Sequence, residues 1–123
     1  MLLVCQDALG MESGAISDAQ ISASTEFNPS HAARYGRLYF RGNEHIIGAW
    51  AARTNTANQW LQIDLIGQNS IVTRVATQGR SDFDQWVTQY TLQYSNASLN
   101  FLDYREDGKN ATKVKYLTNQ IDH

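Results

Sequence analysis

The stretch Asn58-Gln59-Trp60-Leu61-Gln62-Ile63-Asp64-Leu65, followed after a short break by Ser70-Ile71-Val72-Thr73-Arg74-Val75-Ala76-Thr77-Gln78 and then by Trp86-Val87-Thr88-Gln89-Tyr90-Thr91-Leu92-Gln93-Tyr94, decides the fold. In the first piece Leu61, Ile63 and Leu65 alternate with Gln62 and Asp64, the period of a strand with one wet face. The second is rich in β-branched residues, whose stiff side chains favour a pleated surface over a helix. In the third, Trp86, Thr88, Tyr90, Leu92 and Tyr94 line one face and Val87, Gln89, Thr91 and Gln93 the other. Three half-buried strands with no helical pattern between them predict an antiparallel all-β fold.

Working outward toward the amino terminus, Ser17 and Asp18 offer turn or cap chemistry before a short strand over residues 20–24. Residues 25–36 break the alternation. The single proline, Pro29, lies there among small polar residues with Phe27, His31 and Tyr35, and a loop of that length in a compact fold is usually functional. Residues 37–40 are predicted as a brief strand, residues 41–45 as a turn, and residues 46–51 as a return to the core through Trp50. Toward the carboxyl terminus, a strand over residues 101–106 and a hairpin at Asp107-Gly108 lead to an apolar alternation at Val114 and Tyr116.

With 123 residues, 42% of them hydrophobic, the chain suits a single core. A net charge of −2 with both signs scattered offers no basic stripe, which argues against nucleic acid as a partner. No apolar run approaches the roughly 18 residues of a membrane span. The opening Met1-Leu2-Leu3-Val4 lacks the length and flanks of a signal peptide. Cys5, the only cysteine, is either an idle thiol or half of a bridge to a cysteine outside this sequence. The triplets Asn96-Ala97-Ser98 and Asn110-Ala111-Thr112 fit the acceptor pattern for N-linked glycans, a pattern that also arises by chance and so is weak evidence for a secreted surface.

Catalytic chemistry finds little support. His31, His45 and His123 have no metal-ligand spacing, and neither paired cysteines nor a glycine-rich phosphate loop is present. Asp82 and Asp84 alternate along one loop and could lend oxygens to calcium, although a solvated acidic loop is the better account of them. What remains is a recognition rim. Loops 25–36, 41–47 and 80–85 can gather at one end of a sandwich, presenting Phe27, His31, Tyr35, Arg80, Asp82 and Phe83, with Trp86 following. Exposed aromatics stack on sugars or wedge into membrane interfaces, and arginine attracts carboxylate or phosphate. Phe83, flanked by Asp82 and Asp84, is the first choice for a tip residue. Tyr35 and Trp86 serve equally well as packing beneath their loops.

Several segments, taken in order, resemble the discoidin domain, also called the coagulation factor V/VIII type C domain. They are Leu9-Gly10-Met11-Glu12-Ser13-Gly14, Ile16-Ser17-Asp18-Ala19-Gln20-Ile21-Ser22-Ala23-Ser24, Trp60-Leu61-Gln62-Ile63-Asp64-Leu65, Val75-Ala76-Thr77-Gln78-Gly79-Arg80 and Val87-Thr88-Gln89-Tyr90-Thr91-Leu92-Gln93-Tyr94-Ser95. The run over residues 60–119 is most similar to retinoschisin-type members. The resemblance implies one domain over residues 5–123, built as an antiparallel jelly-roll β-sandwich of the galactose-binding-like class. It also implies an extracellular adhesion module without catalysis or cofactor, whose projecting loops bind a cell-surface or matrix glycan, a protein such as collagen, or phospholipid headgroups.

The family pattern closes with further strands and a second cysteine, which this sequence does not reach by Asp122-His123. An incomplete domain is therefore expected, with the partner of Cys5 outside the sequence. Two alternatives stand beside the adhesion module: a carbohydrate-binding module detached from a larger extracellular enzyme, and a truncated product without stable function.

Overall fold

The computed structural model describes residues 7–66, 70–96 and 99–105. The chain divides into two compact units, Met1–Asp84 and Gln85–His123, each with its own antiparallel pair of strands. Cys5, Asn110, the Asp107-Gly108 hairpin and the Val114/Tyr116 alternation lie outside the described residues.

In the first unit, β1 (Ile21–Ala23) pairs with β2 (Leu61–Ile63), matching Ile21 with Ile63 and Ala23 with Leu61. Both strands fall where the alternation predicts them. The entry to β1 is prepared locally. A 3-10 turn over Asp18–Gln20 follows Ser17, whose backbone N–H donates to Gln20 Oε1 at 2.9 Å. The Gln20 amide then donates to the Asp64 carbonyl at 2.7 Å, and Asp64 N–H donates back to the Gln20 carbonyl at 2.8 Å. Side chain and backbone of one residue thus extend the ladder past the end of β2. At the other end, Ser24 Oγ accepts from Trp60 N–H at 3.0 Å while Ser24 N–H donates to the Trp60 carbonyl at 2.9 Å.

The core of this unit is Ile16, Ile21 and Ala33, with Met11, Ala23, Trp50, Leu61 and Leu65 packed around it. Leu61 and Leu65 take their expected places, whereas Ile63 is partly exposed. Gly10 makes the lead-in possible: its φ is +118°, and its carbonyl accepts from both Gly14 and Ile16. A Cβ there would meet the Ala15 Cβ at 2.5 Å, so only glycine closes this turn.

Two expected strands differ. Residues 37–40 form a turn, closed by Phe40 N–H to the Arg37 carbonyl at 3.2 Å, with Tyr39 at a left-handed φ of 56°. The β-branched residues 70–78 carry no assigned strand, and Ile71 is 88% exposed. Intrinsic preference for extended backbone does not by itself make a strand, which also needs a ladder to a neighbour.

In the second unit β3 (Gln93–Tyr94) pairs with β4 (Leu102–Asp103), setting Gln93 opposite Asp103 and Tyr94 opposite Leu102. Tyr104 N–H donates to the Leu92 carbonyl at 2.7 Å, and the Gln93 amide reaches Asp103 Oδ1 at 2.7 Å. Of the long strand expected over residues 86–94 only Gln93–Tyr94 is strand, and of the one expected over residues 101–106 Leu102–Asp103 is, with Arg105 in an isolated bridge and residue 106 outside the described residues.

Candidate functional site

The loop over residues 25–36 follows β1 and is rigid for reasons written in its sequence. Asn28 caps the 3-10 turn Pro29–His31: its Oδ1 accepts from Ser30 N–H at 3.0 Å, and Pro29 supplies a preset φ at the first position of the turn. Glu26 reaches across the loop so that its Oε1 accepts from the buried Ala33 N–H at 2.8 Å. A second 3-10 turn, Ala33–Tyr35, closes the segment.

Loop 25–36 is tied along its length to the segment after Ile46. Ile47 N–H donates to the Ser30 carbonyl at 3.0 Å, Ala51 N–H to the His31 carbonyl at 3.3 Å and Phe27 N–H to the Ala51 carbonyl at 2.8 Å. The Trp50 indole N–H donates to the Thr25 carbonyl at 2.9 Å. Residues 42–48 form a tight turn in which Asn43 N–H donates to the Ile46 carbonyl at 2.8 Å. Its Oδ1 accepts from His45 and Ile46 at 2.9 and 3.1 Å. The third loop lies against this turn: a Cβ on Gly48 would stand 2.5 Å from Ser81 Oγ. Gln78 Oε1 accepts from Tyr39 N–H at 2.7 Å, which fixes the approach to that loop.

Within this frame His31, Arg80 and Asp82 act on one another electrostatically. Arg80 grips Asp82 through two bonds, Nε to Oδ1 at 2.6 Å and Nη2 to Oδ2 at 3.2 Å. That double contact holds the Asp82 carboxyl below the ordinary carboxylate range and raises the Arg80 guanidinium further. The guanidinium also lies over the Phe83 ring, 5.3 Å from its centroid.

His31 Nδ1 donates to Asn28 Oδ1 at 2.7 Å, an atom identified as oxygen because Ser30 N–H also donates to it. Burial first, and then the Arg80 charge, lower the His31 pKa, while Asp82 opposes them. The ring is therefore neutral at pH 7 and keeps Nε2 as an acceptor. Phe27 stands edge-on to His31 at 5.2 Å between centroids.

Phe27 and Phe83 are 59% and 64% exposed, so both present ring surface to solvent. Tyr35 is instead half-buried, stacked on Phe40 at 5.4 Å and covered by the Arg34 guanidinium at 4.6 Å. It acts as a wedge beneath the loop rather than at its tip. Trp86 belongs to the second unit and is half exposed. Asn96 is exposed at a bend following β3. Asp82 is engaged by Arg80, and among the described residues no three His, Cys, Asp or Glu side chains gather to hold a metal ion.

The Arg80–Asp82 pair was not evident from the sequence, which draws attention to Asp82 and Asp84 as an acidic couple. The signal that points to it is the opposite charge two residues away in a loop too short to separate them. The Asn28 clamp on His31 was likewise not foreseen, although Asn28-Pro29-Ser30 is a recognisable cap sequence.

A family model described as the F5/8 type C domain matches residues 20–122. Coagulation factor V of Sus scrofa is 38% identical over 124 residues, covering 95% of this chain and 5% of that protein. Lactadherin of Rattus norvegicus is 35% identical over 109 residues, covering 85% and 25%. The EGF-like repeat and discoidin I-like domain-containing protein 3 of Homo sapiens is 36% identical over 118 residues, covering 89% and 24%. The chain thus spans a quarter or less of these relatives. Among solved structures, wild-type discoidin II from Dictyostelium discoideum matches with a TM-score of 0.59 at 22% identity, over 80% of this chain and 38% of that one. The fold is that expected from the strand pattern, an all-β antiparallel jelly-roll sandwich of the galactose-binding-like class. No helix among the described residues is long and apolar enough to cross a membrane.

Proposed function

The chain belongs to the F5/8 type C (discoidin) domain family, and from that membership we propose that residues 5–123 form one extracellular binding module without catalytic chemistry, which recognises a glycan through the rim of its first unit. The observation that carries the reading is the pairing of two exposed aromatic rings, Phe27 and Phe83, with the planar Arg80–Asp82 pair and neutral His31. A sugar offers an apolar face of C–H groups and an edge of hydroxyls. The rings suit the face, while the Asp82 carboxylate and His31 Nε2 accept from the hydroxyls.

Two features favour this ligand over an anionic phospholipid surface. The Arg80 charge is already answered by Asp82, and the chain as a whole carries a net charge of −2. A lipid surface rewards basic residues and apolar spikes together. The Cys5 bridge belongs to the same proposal, with its partner cysteine outside this sequence.

Screening the protein on an array of extracellular-matrix and cell-surface glycans tests the reading, with Phe27→Ala and Phe83→Ala compared against wild type. Each truncation is expected to weaken binding about tenfold, the loss of roughly 1.4 kcal/mol of stacking, with an unchanged melting temperature. A glycan signal that both variants retain, or binding to phosphatidylserine vesicles alone, refutes it. If either variant unfolds, that ring is core and the rim is wrongly placed.

A further inference from the structure

The connection between β3 and β4 carries a feature that the rim does not use. Tyr94 and Leu102 face each other across the antiparallel pair and are 55% and 59% exposed, an apolar floor of two side chains open to solvent. Beside them is an open cleft of about 250 Å³, lined by Tyr94, Ser95, Asn96, Asn100 and Leu102. Asn96 is the acceptor of the triplet Asn96-Ala97-Ser98, and it is exposed on the turn side of the cleft. Tyr94 ends β3 and Asn96 follows it at a bend, and both residues line the cleft, so ring and acceptor border the same concavity.

We propose that Asn96 is N-glycosylated and that the first N-acetylglucosamine of this glycan seats in the cleft, its C–H face on Tyr94 and Leu102 and its polar edge on the Asn100 amide. The occupant follows from the cleft itself, because Asn96, the residue to which the sugar is joined, is one of those that line it. The modification forms a bond between the Asn96 side-chain nitrogen and the sugar C1, with loss of the lipid pyrophosphate that carried the glycan and of one amide proton. Tethering removes the entropy of bringing the sugar to the floor, so even a weak stacking contact is populated. The hairpin is then covered on its apolar side by part of its own chain's modification. The proposal rests on the extracellular setting proposed above but not on the rim ligand.

The test is expression of the full chain behind an added signal sequence in a eukaryotic secretory host. Peptide mass spectrometry after enzymatic deglycosylation, which converts an occupied Asn96 to aspartate, measures occupancy, with Asn110 as internal control. The melting temperature is then compared before and after deglycosylation, for wild type and for Tyr94→Thr. Occupancy at Asn96 is expected, with a fall of roughly 4 °C on sugar removal in wild type and almost none in Tyr94→Thr. Ser98→Ala, which blocks transfer, should melt with the deglycosylated protein.

Should Tyr94→Thr fail to fold, nuclear Overhauser contacts between the N-acetyl methyl group and the Tyr94 ring in the wild-type glycoprotein decide the matter alone. An unmodified Asn96 beside a modified Asn110 overturns the proposal. So does an occupied Asn96 whose sugar shows no contact to Tyr94 and no effect on melting. Neither result bears on the glycan array, and loss of array binding leaves this proposal standing.

Discussion

Replacing Gly42 by alanine tests how the rim is supported. A Cβ at this position would collide with the Ile46 carbonyl oxygen and stand 2.7 Å from Gly48 N and 3.0 Å from the Ile47 carbonyl carbon. All three atoms are backbone of the same turn, so no side-chain rotation relieves the overlap. The turn has to open, and opening it breaks the bond from Asn43 N–H to the Ile46 carbonyl at 2.8 Å. Overpacking of this kind costs about 1–3 kcal/mol and the lost hydrogen bond about 1 kcal/mol more. Together they amount to about 2–4 kcal/mol, a large share of the roughly 5–15 kcal/mol that holds a typical fold.

Gly48→Ala provides the contrast. Its nearest neighbour, Ser81 Oγ at 2.5 Å, sits on an exposed side chain that can rotate away, and the backbone atoms beyond it lie at 3.0 and 3.2 Å. A cost of about 1 kcal/mol is expected, together with weaker rim binding as the third loop is pushed outward. Urea unfolding followed by tryptophan fluorescence measures both variants. A Gly42→Ala protein within about 0.5 kcal/mol of wild type, the range of an ordinary surface substitution, would refute the packing argument, as would a Gly48→Ala protein that is the less stable of the two.

Two further outcomes are expected. Arg37, whose side chain is 10% exposed, donates to the Met11 carbonyl at 3.0 Å and to the exposed Asp18 at 2.7 Å. Because the exposed ion pair contributes little and an orphaned carbonyl costs about 1–3 kcal/mol, Arg37→Ala should destabilise far more than Asp18→Asn in the same denaturation assay; equal effects would place the energy in the ion pair. The second concerns pH. His31 has a lowered pKa in the folded state, so its contribution is complete above the unfolded value of about 6.5 and is lost as pH falls through the lower folded value. Melting temperature should drop between pH 7 and pH 5, and His31→Gln should flatten that slope; an unchanged slope means that His31 is not held neutral by its surroundings. The depressed Asp82 carboxyl adds a further loss only at lower pH, below the usual carboxylate value.

Local patterns were legible where local chemistry suffices. The alternation around Leu61 and Ile63, the cap residues before Ile21 and the Asn43 turn all stand where the sequence places them. Residues 70–78 show the limit, because β-branched composition says only that extended backbone is cheap, whereas a ladder needs a neighbour from elsewhere in the chain. The two exposed phenylalanines could be picked out because each lies among polar residues. The grip of Arg80 on Asp82 left only a local trace, opposite charges two residues apart, and the meeting of His31 with both left none, since residues 31 and 80 are brought together only by the fold.

The pairing of β1 with β2 has a kinetic consequence. Ser24 and Trp60, which close the ladder, are 36 positions apart in sequence, and two of the three rim loops lie wholly inside the interval they bracket. Drawing such an interval shut costs on the order of 3 kcal/mol in chain entropy before any contact inside it compensates. Those two loops of the proposed rim therefore cannot form early and wait for the rest of the molecule. They are assembled by the closure itself, and a nick anywhere between those two residues would free them from that constraint.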